Sequence, residues 1–209
     1  MEREISLNTQ IEPLFGIPAL KIITGDIIII AIADLHLGYE RSLSKKGVVV
    51  KNRTGEILHT ILDILNREKP DRLVMVGDIK DELFGASPGT AEDLELFFLK
   101  LQGSVETITV VKGNHDGRIE ELLPDTIRMV GPRGGVIEKI GFFHGHSWPT
   151  VDVLESSIVV TAHNHPTFAS ILAGERYFYH PCWIRGKLDV ENALEHYPDG
   201  DADKMKNAE

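Results

Sequence analysis

The stretch IIIIAIADLH occupies residues 27–36 and is the most informative segment for the fold. Its apolar part, Ile27 to Ala33, is continuous, as expected of a β-strand that is covered on both faces. The strand ends at Asp34-Leu35-His36, which places two polar side chains at its carboxyl end. The stretch therefore predicts a buried strand of an α/β fold with polar groups at its end.

Two more segments repeat this arrangement. Leu73 to Val76 is apolar and ends at Gly77-Asp78, and Thr107 to Val111 ends at Gly113-Asn114-His115-Asp116. Ligands of open α/β sheets lie beyond the carboxyl ends of the strands, so we expect all three polar clusters at one edge of a sheet.

Helical patterns separate these strands. Apolar residues recur three and four positions apart in residues 57–65 and again after Thr90, which predicts two amphipathic helices. From residue 135 onward, short strands with glycine-containing turns predict a more antiparallel region, with a hairpin tip at residues 173–175. We expect one domain over residues 1–197 and a frayed, disordered tail over residues 198–209, because the tail is polar.

Composition limits the classes of function. The longest apolar run is far shorter than the roughly 20 residues of a membrane-spanning helix, and the N-terminus lacks a signal pattern, so a cytoplasmic protein with no membrane partner is expected. Cys182 is the only cysteine, which excludes an intramolecular disulfide and a thiolate metal cage. A net charge of -10 argues against broad binding to nucleic acid but leaves a local site open.

Histidines concentrate in the polar clusters. Six of the nine lie there, at positions 36, 115, 144, 146, 163 and 165. One such cluster is more often a turn with satisfied polar groups. Five clusters in one chain instead indicate a metal centre with oxygen and nitrogen ligands.

Taken in order, the five clusters resemble the motifs of the calcineurin-like metallophosphoesterases. They are Asp34-x-His36, Gly77-Asp78, Gly113-Asn114-His115-Asp116, His144-Gly145-His146 and His163-x-His165. Residues 39–51 and 181–187 are similar to the small archaeal SbcD-related or ICC-like phosphoesterases. The resemblance implies an α/β/β/α sandwich of two mixed sheets flanked by helices, with a dinuclear metal centre at the strand ends.

The resemblance also implies a role for each residue of the site. One ion would be held by Asp34, His36 and His165, and Asp78 would bridge both ions. The second ion would be held by Asn114, His144 and His163, with His115 as a catalytic residue beside the metals. This donor set suits two divalent ions, manganese first, with iron, zinc or nickel as alternatives.

The expected reaction is hydrolysis of a phosphate ester. Two metals would lower the pKa of a shared water, so that it is hydroxide near neutral pH. This hydroxide would attack phosphorus in line with the leaving oxygen, and His115 would protonate that oxygen. Either Asp116 or the backbone would orient that imidazole, and the sequence leaves both open.

Three further residues have two interpretations each. Asp81 would orient a metal-bound histidine or be a solvated turn residue. His146 would contact substrate phosphate or orient a ligand. Arg41 begins a locally basic loop that would attract a phosphate-rich substrate, or that simply lies at the surface.

Several functions are compatible with the sequence. The leading hypothesis is hydrolysis of phosphodiesters, which includes the possibility of a nuclease. A nucleotide or cyclic-nucleotide phosphodiesterase, or a phosphomonoesterase, is the runner-up within the same chemistry. A noncatalytic protein-binding scaffold is the alternative from another class, and a zinc amidohydrolase fits less well. The sequence predicts no oligomeric state.

Overall fold

The structure is a computed structural model that describes residues 9–172, 176–206 and 208. Its strands are β1 (Gln10–Pro13), β2 (Ala19–Thr24), β3 (Ile27–Ile32), β4 (Arg72–Val76), β5 (Thr107–Val111), β6 (Arg128–Val130), β7 (Gly135–Ile137), β8 (Ile140–Phe142), β9 (Ile158–Val160), β10 (Thr167–Leu172) and β11 (Arg176–Pro181). Its α-helices are α1 (Tyr39–Lys45), α2 (Thr54–Glu68), α3 (Pro88–Leu101), α4 (Val151–Leu154), α5 (Val190–His196) and α6 (Ala202–Met205). A short 3-10 helix covers Ile119–Glu121. No helix in the described part of the chain is long and apolar enough to cross a membrane.

The largest sheet has six strands in the order β1-β2-β3-β4-β5-β6. The pairs β1–β2 and β2–β3 are antiparallel, whereas β3, β4, β5 and β6 run parallel. The three strands that the sequence predicts to carry polar clusters are therefore the parallel neighbours β3, β4 and β5. Their carboxyl ends meet at one edge of the sheet, as expected.

Successive residues of β3 pack into two different cores. Ile30 and Ile32 face the side of the sheet that α2 and α3 cover. Ile29 and Ala31 face the opposite side. Side chains alternate along a strand, so a strand buried on both faces needs apolar residues at every position. This requirement explains the unbroken apolar run.

A second mixed sheet covers the other face of the first one. Its order is β7-β8-β9, with β7–β8 antiparallel and β8–β9 parallel. Helix α4 packs on β7 and β8, and Leu154 of α4 contacts a small outer cluster that includes Ala193 and Met205. The predicted sandwich of two mixed sheets flanked by helices is confirmed. The last two strands are an addition to it, because β10 and β11 form a separate two-stranded sheet. The predicted hairpin tip, residues 173–175, lies outside the described residues.

The C-terminal segment differs from the expected frayed tail. Helix α6 forms within it, and the Asp201 side chain accepts hydrogen bonds from the backbone N–H groups of Asp203 and Lys204 at the helix start. Met205 is fully buried beside Leu154. Its burial provides the apolar contact that docks this polar stretch. A single methionine among charged residues gives too weak a pattern for the sequence to predict such docking.

Candidate metal centre

Backbone hydrogen bonds hold the first two polar clusters against each other. The N–H of Asp34 donates to the carbonyl of Gly77 at 3.0 Å, and the N–H of His36 donates to the carbonyl of Asp78 at 2.9 Å. The clusters at residues 144–146 and 163–165 follow β8 and β9 of the second sheet. The site is thus assembled where strand ends of both sheets meet.

Asp34, His36 and His165 form the first group of ligand-type side chains. One donor atom from each lies within 4.8 Å of the others. His165 Nε2 is 3.4 Å from Asp34 Oδ1, and the His36 and His165 ring centroids are 5.7 Å apart. Three donors at this spacing are arranged to share one ion.

Asp78, His144 and His163 form a second group, again with donor atoms within 4.8 Å of one another. Asp78 Oδ2 lies 3.3 Å from His144 Nε2 on one side and 3.8 Å from His36 Nε2 on the other. A single carboxylate therefore stands between the two groups. This is the position that a bridging ligand must occupy.

Several buried polar atoms of this region have no hydrogen-bond partner in the described part of the chain. They are Asp34 Oδ1, His36 Nδ1, Asn114 Oδ1, His144 Nε2 and His146 Nδ1. An unsatisfied buried polar group costs about 1–3 kcal/mol. A divalent cation accepts the lone pairs of Asp34 Oδ1, Asn114 Oδ1 and His144 Nε2, so these residues fit the metals that the resemblance implies.

Hydrogen bonding fixes the tautomer of His144. A carbonyl oxygen can only accept, so His144 Nδ1–H donates to the Val76 carbonyl at 2.8 Å and the Nε2 lone pair faces Asp78. Burial lowers the pKa of His144, but the Asp78 carboxylate and the Val76 carbonyl outweigh burial and raise it. Burial raises the pKa of Asp78, yet the adjacent His144 imidazole and the hydrogen bond from the His115 N–H lower it to about 2. Asp78 is therefore a carboxylate at neutral pH.

His115 is held by the Asp81 carbonyl and the Asp78 carboxylate. Its Nδ1–H donates to the Asp81 carbonyl at 2.5 Å, and its backbone N–H donates to Asp78 Oδ1 at 2.9 Å. The His115 ring stands edge-on to that of His36, with centroids 4.9 Å apart. The Nε2 atom is thus the one left for a substrate. Of the two orienting groups that the sequence leaves open, the backbone is the one in contact.

Asp116 accepts hydrogen bonds from two loops and does not orient the His115 imidazole. Its carboxylate is fully buried and accepts N–H groups of Ile79 and Gly113, each at 2.9 Å. Burial raises the pKa of this carboxyl. Asp116 therefore joins the loop after β4 to the loop after β5.

Asp81 and His146 lie close to the grouped side chains. Asp81 Oδ1 is 3.6 Å from His36 Nδ1, and its other oxygen accepts the hydroxyl of Ser42. The structure also groups Asp81 with His36 and His115, again within 4.8 Å. His146 lies beside His144, with ring centroids 5.4 Å apart, and burial lowers its pKa. Asp81 is thus placed to orient His36, and His146 borders the second group.

Arg41 is paired with residues at the start of α3. Its guanidinium donates to the Gly89 carbonyl at 3.1 Å and to Asp93 Oδ2 at 2.8 Å, at the start of α3. Its loop neighbours are paired in the same way. Lys45 contacts Glu82, and Lys51 and Arg53 contact Glu56. Most of the basic charge that the sequence places after the first cluster is matched by carboxylates of this chain.

The backbone at the site is conformationally strained. Asp34, His36, Asp78, His163 and His165 have φ values of 53°, 46°, 51°, 70° and 42°. Such left-handed residues are uncommon outside glycine, and each costs of order 1–3 kcal/mol, which contacts with the surrounding structure must offset. Strain of this kind concentrates at functional sites.

Two glycines permit the close approach of the loops. A Cβ on Gly77, whose φ is 86°, would lie 2.3 Å from His144 Nδ1. A Cβ on Gly113 would lie 2.3 Å from the backbone nitrogen of Asp78. Any larger residue at either position would displace a proposed ligand.

Lys80 is a buried residue that the sequence does not reveal. It is fully buried, and its ammonium donates to the carbonyl of His115 at 2.5 Å and to the carbonyl of Glu82. Burial lowers the pKa of Lys80, although Asp116 and Glu82 oppose that effect. Only the position of a lysine between two aspartates, in Gly-Asp-Ile-Lys-Asp, hints at this role. Lys80 fixes the backbone that presents His115.

We predict that Lys80→Met destabilises the protein by about 1–3 kcal/mol, because it leaves the two carbonyls without their donor. The free energy of unfolding in urea at neutral pH measures this loss. Lys46→Met, at an exposed lysine with the same change of side chain, is the control and is expected to stay within about 0.5 kcal/mol of wild type. Equal stability of the two variants would contradict the proposed contact.

Comparison with known proteins agrees with the resemblance of the five polar clusters. Residues 27–207 match the family model described as calcineurin-like phosphoesterase. The nuclease MPE of Pseudomonas putida has a similar structure, with a TM-score of 0.51, 20% identity, and coverage of 82% of this chain and 80% of that one. The phosphoesterase YfcE of E. coli gives a TM-score of 0.41, 19% identity, and coverage of 72% and 76%. No curated protein sequence matches significantly. The resemblance inferred from the five clusters is confirmed.

Proposed function

Since the chain belongs to the calcineurin-like phosphoesterase family and is a metal-dependent hydrolase, we propose that it hydrolyses phosphodiesters at a dinuclear metal centre. One observation supports this proposal above all. The Asp78 carboxylate lies between two groups of ligand-type side chains, 3.3 Å from His144 Nε2 and 3.8 Å from His36 Nε2. Both distances are to Oδ2, and a carboxylate oxygen has more than one lone pair, so it can bind an ion on each side, whereas a histidine nitrogen has only one lone pair.

The proposed ligands divide into two sets joined by Asp78. The first set is Asp34, His36 and His165, and the second is Asn114, His144 and His163. When bound, two divalent ions supply Lewis-acid activation of water and neutralise charge on the phosphoryl group. Oxygen and imidazole donors of this kind suit manganese, which we propose as the native metal, and also suit iron, zinc or nickel.

His115 is proposed to move a proton. The Asp81 carbonyl occupies its Nδ1–H, so the ring presents Nε2 toward the space beside His36. From there the imidazolium form would donate a proton to the oxygen that leaves phosphorus. The backbone hydrogen bonds of His115 to Asp78 and from Lys80 hold the ring in place for this transfer.

The pairing of the basic residues that follow the first cluster supports a diester over a monoester. A monoester carries a second negative charge near neutral pH, and its binding benefits from additional unpaired basic side chains. In the loop after the first cluster, Arg41, Lys45, Lys51 and Arg53 instead face carboxylates of this chain. A singly charged phosphodiester needs less of that positive charge.

The direct test is turnover by metal-stripped protein after addition of Mn²⁺. We expect bis(4-nitrophenyl) phosphate to be hydrolysed faster than 4-nitrophenyl phosphate. Faster cleavage of the monoester would make the protein a phosphomonoesterase. If neither ester is hydrolysed with manganese, iron, zinc or nickel, the proposal fails and the alternative of a noncatalytic protein-binding scaffold is favoured.

The natural substrate class is tested next. The Pseudomonas putida protein of similar fold is a nuclease, so single-stranded oligonucleotides are the first substrates to try. Cyclic nucleotides are the matched comparison, because they present a diester without a polymer. Preferential cleavage of the cyclic compounds would favour the cyclic-nucleotide phosphodiesterase instead.

A further inference from the structure

Strands β10 and β11 form a hairpin that stands apart from the two larger sheets. Their antiparallel register runs from Thr167 opposite Pro181 to Leu172 opposite Arg176. Among the helices and strands of the described chain, extensive packing of either strand is with the other one only. A two-stranded hairpin of this kind is at best marginally stable in water. Some further contact is needed to stabilise it.

Large apolar side chains are exposed on both faces of this hairpin. Phe168 and Phe178 project from one face, and Ile171, Tyr177 and Tyr179 from the other. Each is between 42% and 68% exposed. The residues that follow continue the apolar surface, because Trp183 is 47% and Ile184 76% exposed. We call these seven residues the hairpin patch.

The hairpin patch is large enough for an interface that engages both faces of the hairpin. A fully exposed aromatic or long aliphatic side chain presents about 200 Å², so the seven residues together expose roughly 800 Å² at the observed fractions. This area is divided between the two faces, and a partner that packs against both would bury about the 800 Å² that each protein contributes to a standard interface.

We propose that a second copy of this chain covers the hairpin patch, so that the protein is a homodimer joined through β10 and β11. Charge supports this choice of partner. The chain carries a net charge of -10, so two copies repel each other over most of their surface. Residues 167–187 contain a single carboxylate, Glu175, beside Arg176, Arg185 and Lys187. The patch therefore lies in a segment that lacks the excess of carboxylates of the whole chain.

Backbone geometry supports the same partner. Both outer edges of the two-stranded sheet are unpaired within the described chain, and an unpaired edge can add another strand. Antiparallel pairing of an edge with its own copy places equivalent residues about a two-fold axis, which is how most homodimers close. A nucleic acid strand would stack on the aromatic rings but would not match the aliphatic Ile171 and Ile184.

The dimer would also steady one edge of the metal centre. Only Pro166 separates His165 from the start of β10. His165 is itself half-exposed, with 55% of its side chain accessible. Ordering the hairpin against a partner would thus limit the motion of the loop that carries His163 and His165.

The mass of the full chain in solution tests this inference. Light scattering after gel filtration is expected to give twice the chain mass of 23.3 kDa for the wild type at micromolar concentration. The double variant Ile171→Lys and Tyr179→Lys puts two charges on one face of the hairpin and is expected to give the single-chain mass. Both side chains are exposed, so the fold of the monomer tolerates the change. The readout is independent of hydrolysis, so the dimer and the proposed activity can fail separately.

The control variant is Val49→Lys, at a residue that is 93% exposed and lies outside the hairpin patch. It is expected to remain a dimer. A wild type that is monomeric over the whole concentration range would overturn the inference. So would a double variant that dimerises as well as the control. A monomeric wild type that instead binds a single-stranded oligonucleotide through Tyr179 would assign the patch to nucleic acid.

Discussion

Asp78→Asn is expected to lower kcat for metal-dependent diester hydrolysis by at least about 10³-fold, because losing the shared ligand removes several kcal/mol of transition-state stabilisation. Asparagine keeps the shape of the side chain but has one oxygen and no charge. The Asp78 carboxylate lies within 4 Å of imidazole nitrogens from both groups. Weakening it therefore affects both proposed ions at once.

The comparison variant for this experiment is Asp63→Asn, which makes the same chemical change at an exposed position on α2. It is expected to retain wild-type turnover. Thermal unfolding followed by circular dichroism checks that both variants are folded. If Asp78→Asn stays within about tenfold of wild type, a bridging role for this carboxylate is wrong.

His115→Ala is expected to have an effect that depends on the leaving group. Proton donation by a positioned side chain contributes about 10²–10⁴-fold, so cleavage of a diester with an alkoxide leaving group should slow by that factor. Hydrolysis of bis(4-nitrophenyl) phosphate should change far less, because 4-nitrophenolate leaves without a proton. The ratio of kcat values on the two diesters is the quantity to measure.

A second histidine serves as the control for that ratio. His59 is on α2, with 78% of its side chain exposed. His59→Ala should leave both rates unchanged. Full turnover of the alkyl diester by His115→Ala would rule out the acid role. An equal loss on both diesters would indicate that His115 instead supports the metal ligands.

The sequence predicts the location of the site better than its detailed conformation. Unbroken apolar runs that end in polar clusters are enough to place β3, β4 and β5 side by side. Parallel pairing then brings Asp34, Asp78 and Asn114 to one edge of the sheet. The left-handed backbone at Asp34, His36 and Asp78 is different, because this conformation is uncommon outside glycine and depends here on contacts between loops that are distant in the sequence.

The burial and pairing of charged residues is the other property that the sequence does not predict. The sequence does not predict that Lys80 is buried, because its burial depends on two carbonyls that the folded loops bring to its ammonium. In the sequence, Arg41 resembles an unpaired substrate contact, because its acidic partner is not evident. Its partner, Asp93, lies 52 residues further along the chain. Such long-range pairs decide whether a basic side chain is free, and composition gives no access to them.

The most direct test of the central claim is the position of bound manganese. Crystals grown with Mn²⁺, measured at the manganese absorption edge, are expected to show two anomalous peaks about 3.5–4 Å apart. Asp78 should contact both peaks, with His36 beside one and His144 beside the other. A single peak, or two peaks that do not share Asp78, would contradict the dinuclear centre proposed here.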